Sequence, residues 1–92
     1  MPTVSEHTTC LSIVARAEPG LLPRVLELFA KRGLLPSRLH STIGGRDGLE
    51  LSIYIEIAGI HEDLAARIAW AIRQIVGVEL VLASAKIEAL SA

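Results

Sequence analysis

The chain has 92 residues and a formal net charge of −1, which is one domain's length, burying roughly 60–65% of its unfolded surface, and lacks the positive field a nucleic-acid backbone demands. Hydrophobic residues make up 51% but aromatics only 3%, so the expected core is a thin aliphatic layer between sheet and helices. Cys10 has no second cysteine to pair with, no Cys/His spacing suits a metal, and neither a signal peptide nor an apolar run of ~20 residues is present, so a cytoplasmic protein without metal, cofactor or membrane is expected.

Residues 8–16 alternate as a strand, with Leu11, Ile13 and Ala15 on one face and Cys10, Ser12 and Arg16 on the other. Glu18-Pro19-Gly20 breaks it. A helix over about 21–32 follows, in which Leu22, Val25, Leu26, Phe29 and Ala30 draw one apolar stripe. Pro23 lies in its first turn, where a missing N–H costs nothing, and Gly33 can supply a left-handed stop. A second strand is predicted over 35–43, with Pro36 inside it pointing to a sheet edge.

Residues 44–48 read as a hairpin loop. The third strand, 49–58, alternates most cleanly: Leu49, Leu51, Ile53, Ile55 and Ile57 inward, Glu50, Ser52, Tyr54 and Glu56 outward. A second helix over 61–75 carries the stripe Leu64, Ile68, Ile72 and Ile75, and Gly77 ends it. Residues 78–83 form a fourth strand; the tail from Ser84 to Ala92 fits either a strand extension or a short helical end.

The order β-α-β-β-α-β, with one-sided helices and right-handed crossovers, gives an α+β, ferredoxin-like sandwich. It is an antiparallel four-stranded sheet of order 2-3-1-4 with both helices on one face. The domain is expected over 8–84, with 1–7 and 85–92 as terminal extensions. The fold hosts many functions, so residues must decide. An RNA-binding version needs aromatics on the central strands, and here Tyr54 stands alone among Ser12, Ser52, Glu50 and Glu56. An acylphosphatase needs an arginine-bearing loop after the first strand, and a copper chaperone needs CxxC there; the residues present are Ala17-Glu18-Pro19-Gly20.

His7, His40 and His61 lack metal spacing and read as surface histidines, and Cys10 reads as a small hydrophobe on a strand. Glu50 and Glu56 are ~20 Å apart along an extended strand, too far for one reaction. They read as solvated, or as cross-strand partners of Arg38 and Arg16. With no acid–base or nucleophile set, the chain is not expected to be an enzyme. Trp70 falls opposite the buried stripe of its helix, which leaves Arg67, Trp70, Arg73 and Gln74 outward as a candidate partner interface.

Three runs carry a resemblance. Ala17-Glu18-Pro19-Gly20-Leu21-Leu22 resembles the Asn-Glu-Pro-Gly-x-Leu run of acetolactate synthase small subunits, which contain ACT domains. Leu28-Phe29-Ala30-Lys31-Arg32-Gly33 is similar to the Leu-Phe-x-x-Arg-Gly that ends their first helix. Ile72 to Val81 is similar to their Leu-x-Lys-Leu-Val-Asp-Val-x-x-Val. The resemblance implies a non-catalytic regulatory ACT-domain protein, an activating small subunit of acetolactate synthase in branched-chain amino-acid biosynthesis. The alternative is a stand-alone homodimeric sensor of an amino acid or other small molecule.

It also implies side-by-side homodimerisation through the second strand, a large catalytic subunit as partner, and an amino-acid effector at the dimer interface. The ligand-binding candidates are Ala17, Glu18, Pro19, Gly20, Leu21, Leu22, Leu35 and Pro36. Gly20 would let the backbone approach a ligand carboxylate at a helix N-terminus. Ala17 and Leu35 stand where valine-sensitive subunits carry asparagines. Without those polar anchors a bound zwitterion keeps unsatisfied charge, so weak or absent valine binding is expected.

Overall fold

The structure is a computed structural model that describes residues 5–89. The elements run β1 (Ser5–Arg16), α1 (Leu21–Ala30), β2 (Arg38–Gly44), β3 (Glu50–Ala58), α2 (Glu62–Arg73) and β4 (Val78–Ala89). They form one antiparallel sheet of order β2-β3-β1-β4 with two helices, as the pattern predicts.

Period-two alternation does most of the organising. On the helix-covered face, Leu11, Ile13 and Ala15 of β1 and Ile53, Ile55 and Ile57 of β3 are fully buried. β1 and β3 meet in the register Ile13↔Ile53 and Leu11↔Ile55, so the same rungs stack aliphatic side chains across both strands. α1 adds Leu21, Val25 and Phe29, spaced one turn apart, and α2 adds Ala65, Ile68, Ala69 and Ile72.

Several boundaries differ from the sequence reading. The buried line of α1 is Leu21–Val25–Phe29: Val25 and Phe29 of the predicted stripe are buried and Leu21 joins them, while Leu22 and Leu26 are half-buried and Ala30, at the end of the helix, is exposed. Leu64 and Ile75 are likewise only partly buried. Leu49 is 58% exposed because it precedes β3 and lies in the hairpin, with its amide bonded to Asp47 Oδ1 at 3.0 Å. Pro36 precedes β2; pairing toward β3 begins with the Ser37 amide donating to Glu56 O at 2.8 Å. The edge position inferred from that proline nonetheless holds.

The described part of the C-terminal tail, 84–89, is strand, and β1 begins at Ser5; the ladder runs to Ser5↔Ala89, with a register shift between Val14 and Ala15. Residues 1–4 and 90–92, which belong to the expected extensions, lie outside the described residues. Gly33 adopts φ +69°, the left-handed stop after α1, and Gly77 adopts φ +101° at the turn into β4. Among the described residues no helix is long and apolar enough to cross a membrane.

Candidate functional site

The β1–α1 turn is held in place from two sides. The Ala17 amide donates to Leu49 O at 2.9 Å and the Arg16 amide to Gly77 O at 2.8 Å. Glu18 lies 3.6 Å from Arg16 Nε, an exposed ion pair. Beside this turn the helix layer leaves β2 uncovered, and a depression of about 390 Å³ opens between Ala17, Glu18, Pro19 and Leu22 on one side and Ser41, Thr42, Ile43 and Leu51 on the other. Four of the eight predicted ligand residues are therefore brought together there, with two hydroxyl-bearing residues of β2 that the sequence reading did not single out.

Gly20 and Leu21 do not line the depression. Leu21 is wholly buried and Gly20 is the N-cap of α1 at φ −81°, a conformation open to any residue. A Cβ on Gly20 would lie 3.3 Å from Arg24 Nη2, so it is the guanidinium of Arg24 that folds over this helix end. Arg24 lies one turn after Gly20 and is exposed, and the sequence reading does not single it out. Leu35 and Pro36 lie elsewhere. Ser37 bonds to Glu56 near the end of β3 and Ala17 to Leu49 just before its start, and those two residues are separated by seven positions, roughly 23 Å of extended chain. Leu35, 88% exposed, is thus at the opposite end of β2 from Ala17 in the same chain.

The helix-free face of the sheet gathers its charge on Glu56. Arg38 of β2 pairs with it across the register and lies 3.7 Å away through Nε, and Lys86 of β4 lies 3.8 Å away through Nζ. The Tyr54 hydroxyl donates to Glu56 Oε2 at 2.6 Å. This hydrogen bond holds the Glu56 carboxyl below its ordinary value against the opposite pull of burial, and Lys86 and Arg38 add to the lowering. The Cys10 thiol, then the Glu56 carboxylate, hold the Tyr54 phenol above its own ordinary value. Of the two glutamates read as solvated or cross-strand, Glu56 is buried and paired, while Glu50 is exposed opposite Arg16. The group is a structural brace; among the described residues no three His, Cys, Asp or Glu are placed to hold a metal.

On the far side of the molecule Trp70 is 62% exposed. It shares a groove with Arg67, Ala66 and Ala71 of α2 and with Arg32, which follows α1. Arg73 turns instead to β4, donating from Nη2 to Val81 O at 2.9 Å. Gln74 is the C-cap of α2 and its side chain is exposed. The sequence sets Arg32 in the Arg-Gly run that ends the first helix and does not place it beside Trp70, because the two meet only through the packing of α1 on α2.

A family model described as the ACT-like domain matches residues 4–89. The chain belongs to the ACT-like domain family. Solved structures share its fold. The ACT domain of GTP pyrophosphokinase from Chlorobium tepidum gives a TM-score of 0.70 at 14% identity, covering 86% of this chain and 99% of that one. An uncharacterized protein from Thermotoga maritima gives 0.68 at 18% identity, over 87% and 96%. The regulatory subunit of aspartate kinase from Thermus flavus gives 0.61 at 16% identity, over 97% of this ACT-like domain and 61% of that chain. At these identities the likeness is one of fold. No curated protein gives a significant sequence match.

Proposed function

We propose that this ACT-like domain is a non-catalytic regulatory module that works as a homodimer joined through β2 and acts on a larger enzyme. One observation carries the reading: β2 is an edge strand exposed along its whole length, with Leu39 and Ile43 uncovered and Ile43 beside Glu18 and Pro19 of the β1–α1 turn. Antiparallel pairing of two β2 strands about a two-fold axis covers them. It also brings Leu35 and Pro36 of one copy to the Ile43 end of the other, next to its Ala17, so the two separated halves of the predicted ligand site would meet between copies.

The enzyme we assign is acetolactate synthase, on the strength of the Glu-Pro-Gly, Arg-Gly and Val78-Glu79-Leu80-Val81 runs. A second reading, a stand-alone small-molecule sensor, is favoured by the polar lining that Glu18, Ser41 and Thr42 give the depression. Calorimetry with valine, leucine and isoleucine separates the two. The subunit reading expects little heat at millimolar ligand, since Ala17 and Leu35 offer no side-chain hydrogen bond, and expects Ala17→Asn with Leu35→Asn to create or strengthen binding. Micromolar binding by the unaltered chain would favour the sensor. Adding the chain to a large thiamine-diphosphate acetolactate synthase subunit should raise its rate; an unchanged rate would remove the pathway assignment and leave the homodimer standing.

A further inference from the structure

Along the outer side of the helix layer, α2 places Arg67, Trp70 and Ala71 on one face at i, i+3 and i+4, with Ala66 a turn before the tryptophan. Together with Arg32 they enclose an open groove of about 390 Å³. The two alanines leave its floor low, so an incoming side chain can lie against the indole. Arg32 donates from Nη1 to Leu28 O at 2.7 Å, which fixes its guanidinium at the end of α1. Neither Arg32 nor Arg67 has a carboxylate within ion-pairing distance among the described residues.

A broad apolar ring beside two uncompensated guanidinium groups selects its own cover. A neutral or cationic segment laid on Trp70 would strip water from both charges without supplying a counter-charge, a costly desolvation. A segment that sets an apolar side chain on the ring and carboxylates on the guanidiniums removes the exposed apolar surface and supplies the missing counter-charges. The chain's overall charge is −1, and the groove itself holds two guanidinium groups, Arg32 and Arg67, too few for an extended phosphate-binding stripe.

We propose that the groove between the end of α1 and the outer face of α2 docks an acidic segment of a partner protein, with an apolar side chain on Trp70 and carboxylates on Arg32 and Arg67. This rests on the regulatory reading for the existence of a partner, and the groove lies on a different surface from β2.

Trp70 is the only tryptophan, so its emission reports on the groove alone. The probe is a helical peptide of about 15 residues with leucines on one stripe and glutamates elsewhere. Titrated into the full chain, it should shift Trp70 emission to the blue with saturation and bind more weakly as salt rises. The lysine-for-glutamate version of the peptide should not shift it. Arg67→Glu should weaken binding at least about tenfold with an unchanged circular dichroism spectrum, since Arg67 is exposed and unpartnered, and Arg67→Lys should retain part of the affinity. No shift at millimolar acidic peptide overturns the proposal, as does a shift produced by oligothymidylate and not by the peptide. Sedimentation of the same samples separates the two readings. A monomer that binds the peptide removes the β2 homodimer and keeps the groove; a dimer blind to the peptide removes the groove alone.

Discussion

Leu39 and Ile55 stand opposite each other on neighbouring strands and on the same face of the sheet, as do Ile43 and Leu51. Yet Ile55 is 0% and Leu51 7% exposed, while Leu39 is 44% and Ile43 69% exposed. Chemistry and register are shared; only the overlying layer differs, because the two helices stop one strand short of the β2 edge. Leu39 and Ile43 of β2 therefore stay largely uncovered within the single chain, and the proposed homodimer would cover them. The opposite edge shows the contrast. β4 is twelve residues long against seven for β2, and Arg73 already occupies its Val81 carbonyl, a charged guard of the kind that discourages strand addition.

The strongest way to break this comparison is to truncate both members of one rung. Ile55→Ala should lower the unfolding free energy by about 2–5 kcal/mol, a cavity in a closed core. Leu39→Ala opposite it should cost the isolated chain less than about 1 kcal/mol. Urea titrations at low protein concentration measure both, and equal losses would show that β2 is covered within one chain. Next in size is assembly. Leu39→Glu with Ile43→Glu should weaken the homodimer at least about 100-fold, or about 2.8 kcal/mol, in sedimentation equilibrium, whereas Leu82→Glu on β4, at a position 60% exposed, should leave it unchanged.

Removing the guard on the other edge is a smaller change. Arg73→Ala should cost about 1–2 kcal/mol from the lost charged hydrogen bond and should raise the rate of thioflavin-positive aggregation; an unaltered rate would mean that β4 is protected by something else. The smallest effect is in acid. The folded carboxyl of Glu56 titrates below its ordinary value of 4.5, so its stabilisation is complete above that pH and is lost as pH falls through the folded value. Glu56→Gln should flatten the acid limb of a stability–pH curve. Tyr54 works in the other direction: its value is raised above the ordinary 10.0, so its contribution is present below that pH and lost in strong alkali, a limb Tyr54→Phe should remove.

The parts of this fold legible in the sequence are those with a strong local period. Leu51, Ile53, Ile55 and Ile57 could hardly be anything but the inner face of a strand, and Ile68 and Ile72 the inner face of a helix. β4 beyond Ala83 was ambiguous because Ser84, Ala85 and Lys86 carry no alternation; they are strand through pairing with Cys10, Thr9 and Thr8, a tertiary cause. The same limit applies to the candidate sites. The Glu18-Pro19 turn announces itself, but its approach to Ser41 and Ile43, the distance of Leu35 from it, and the meeting of Arg32 with Trp70 all depend on how elements pack. Exposure of Trp70 needed only the helical angle, and that was readable.

The central strand β1 is bound on one side by β3 and on the other by β4, in a ladder that ends with Ser5 opposite Ala89. In the order of synthesis the strand that fills the middle of the sheet is made early, and one of its two neighbours comes only after both helices. While the ribosome is still adding Val78 to Ala89, β1 can have at most one flank satisfied, with Leu11 and Ile13 in a sheet that lacks its fourth member. Closing so long a loop delays the native pairing, and the interval is one in which an unpaired strand can find a strand of another nascent chain. Expression at a lower temperature, or a slowed chain, would therefore change the yield of soluble protein.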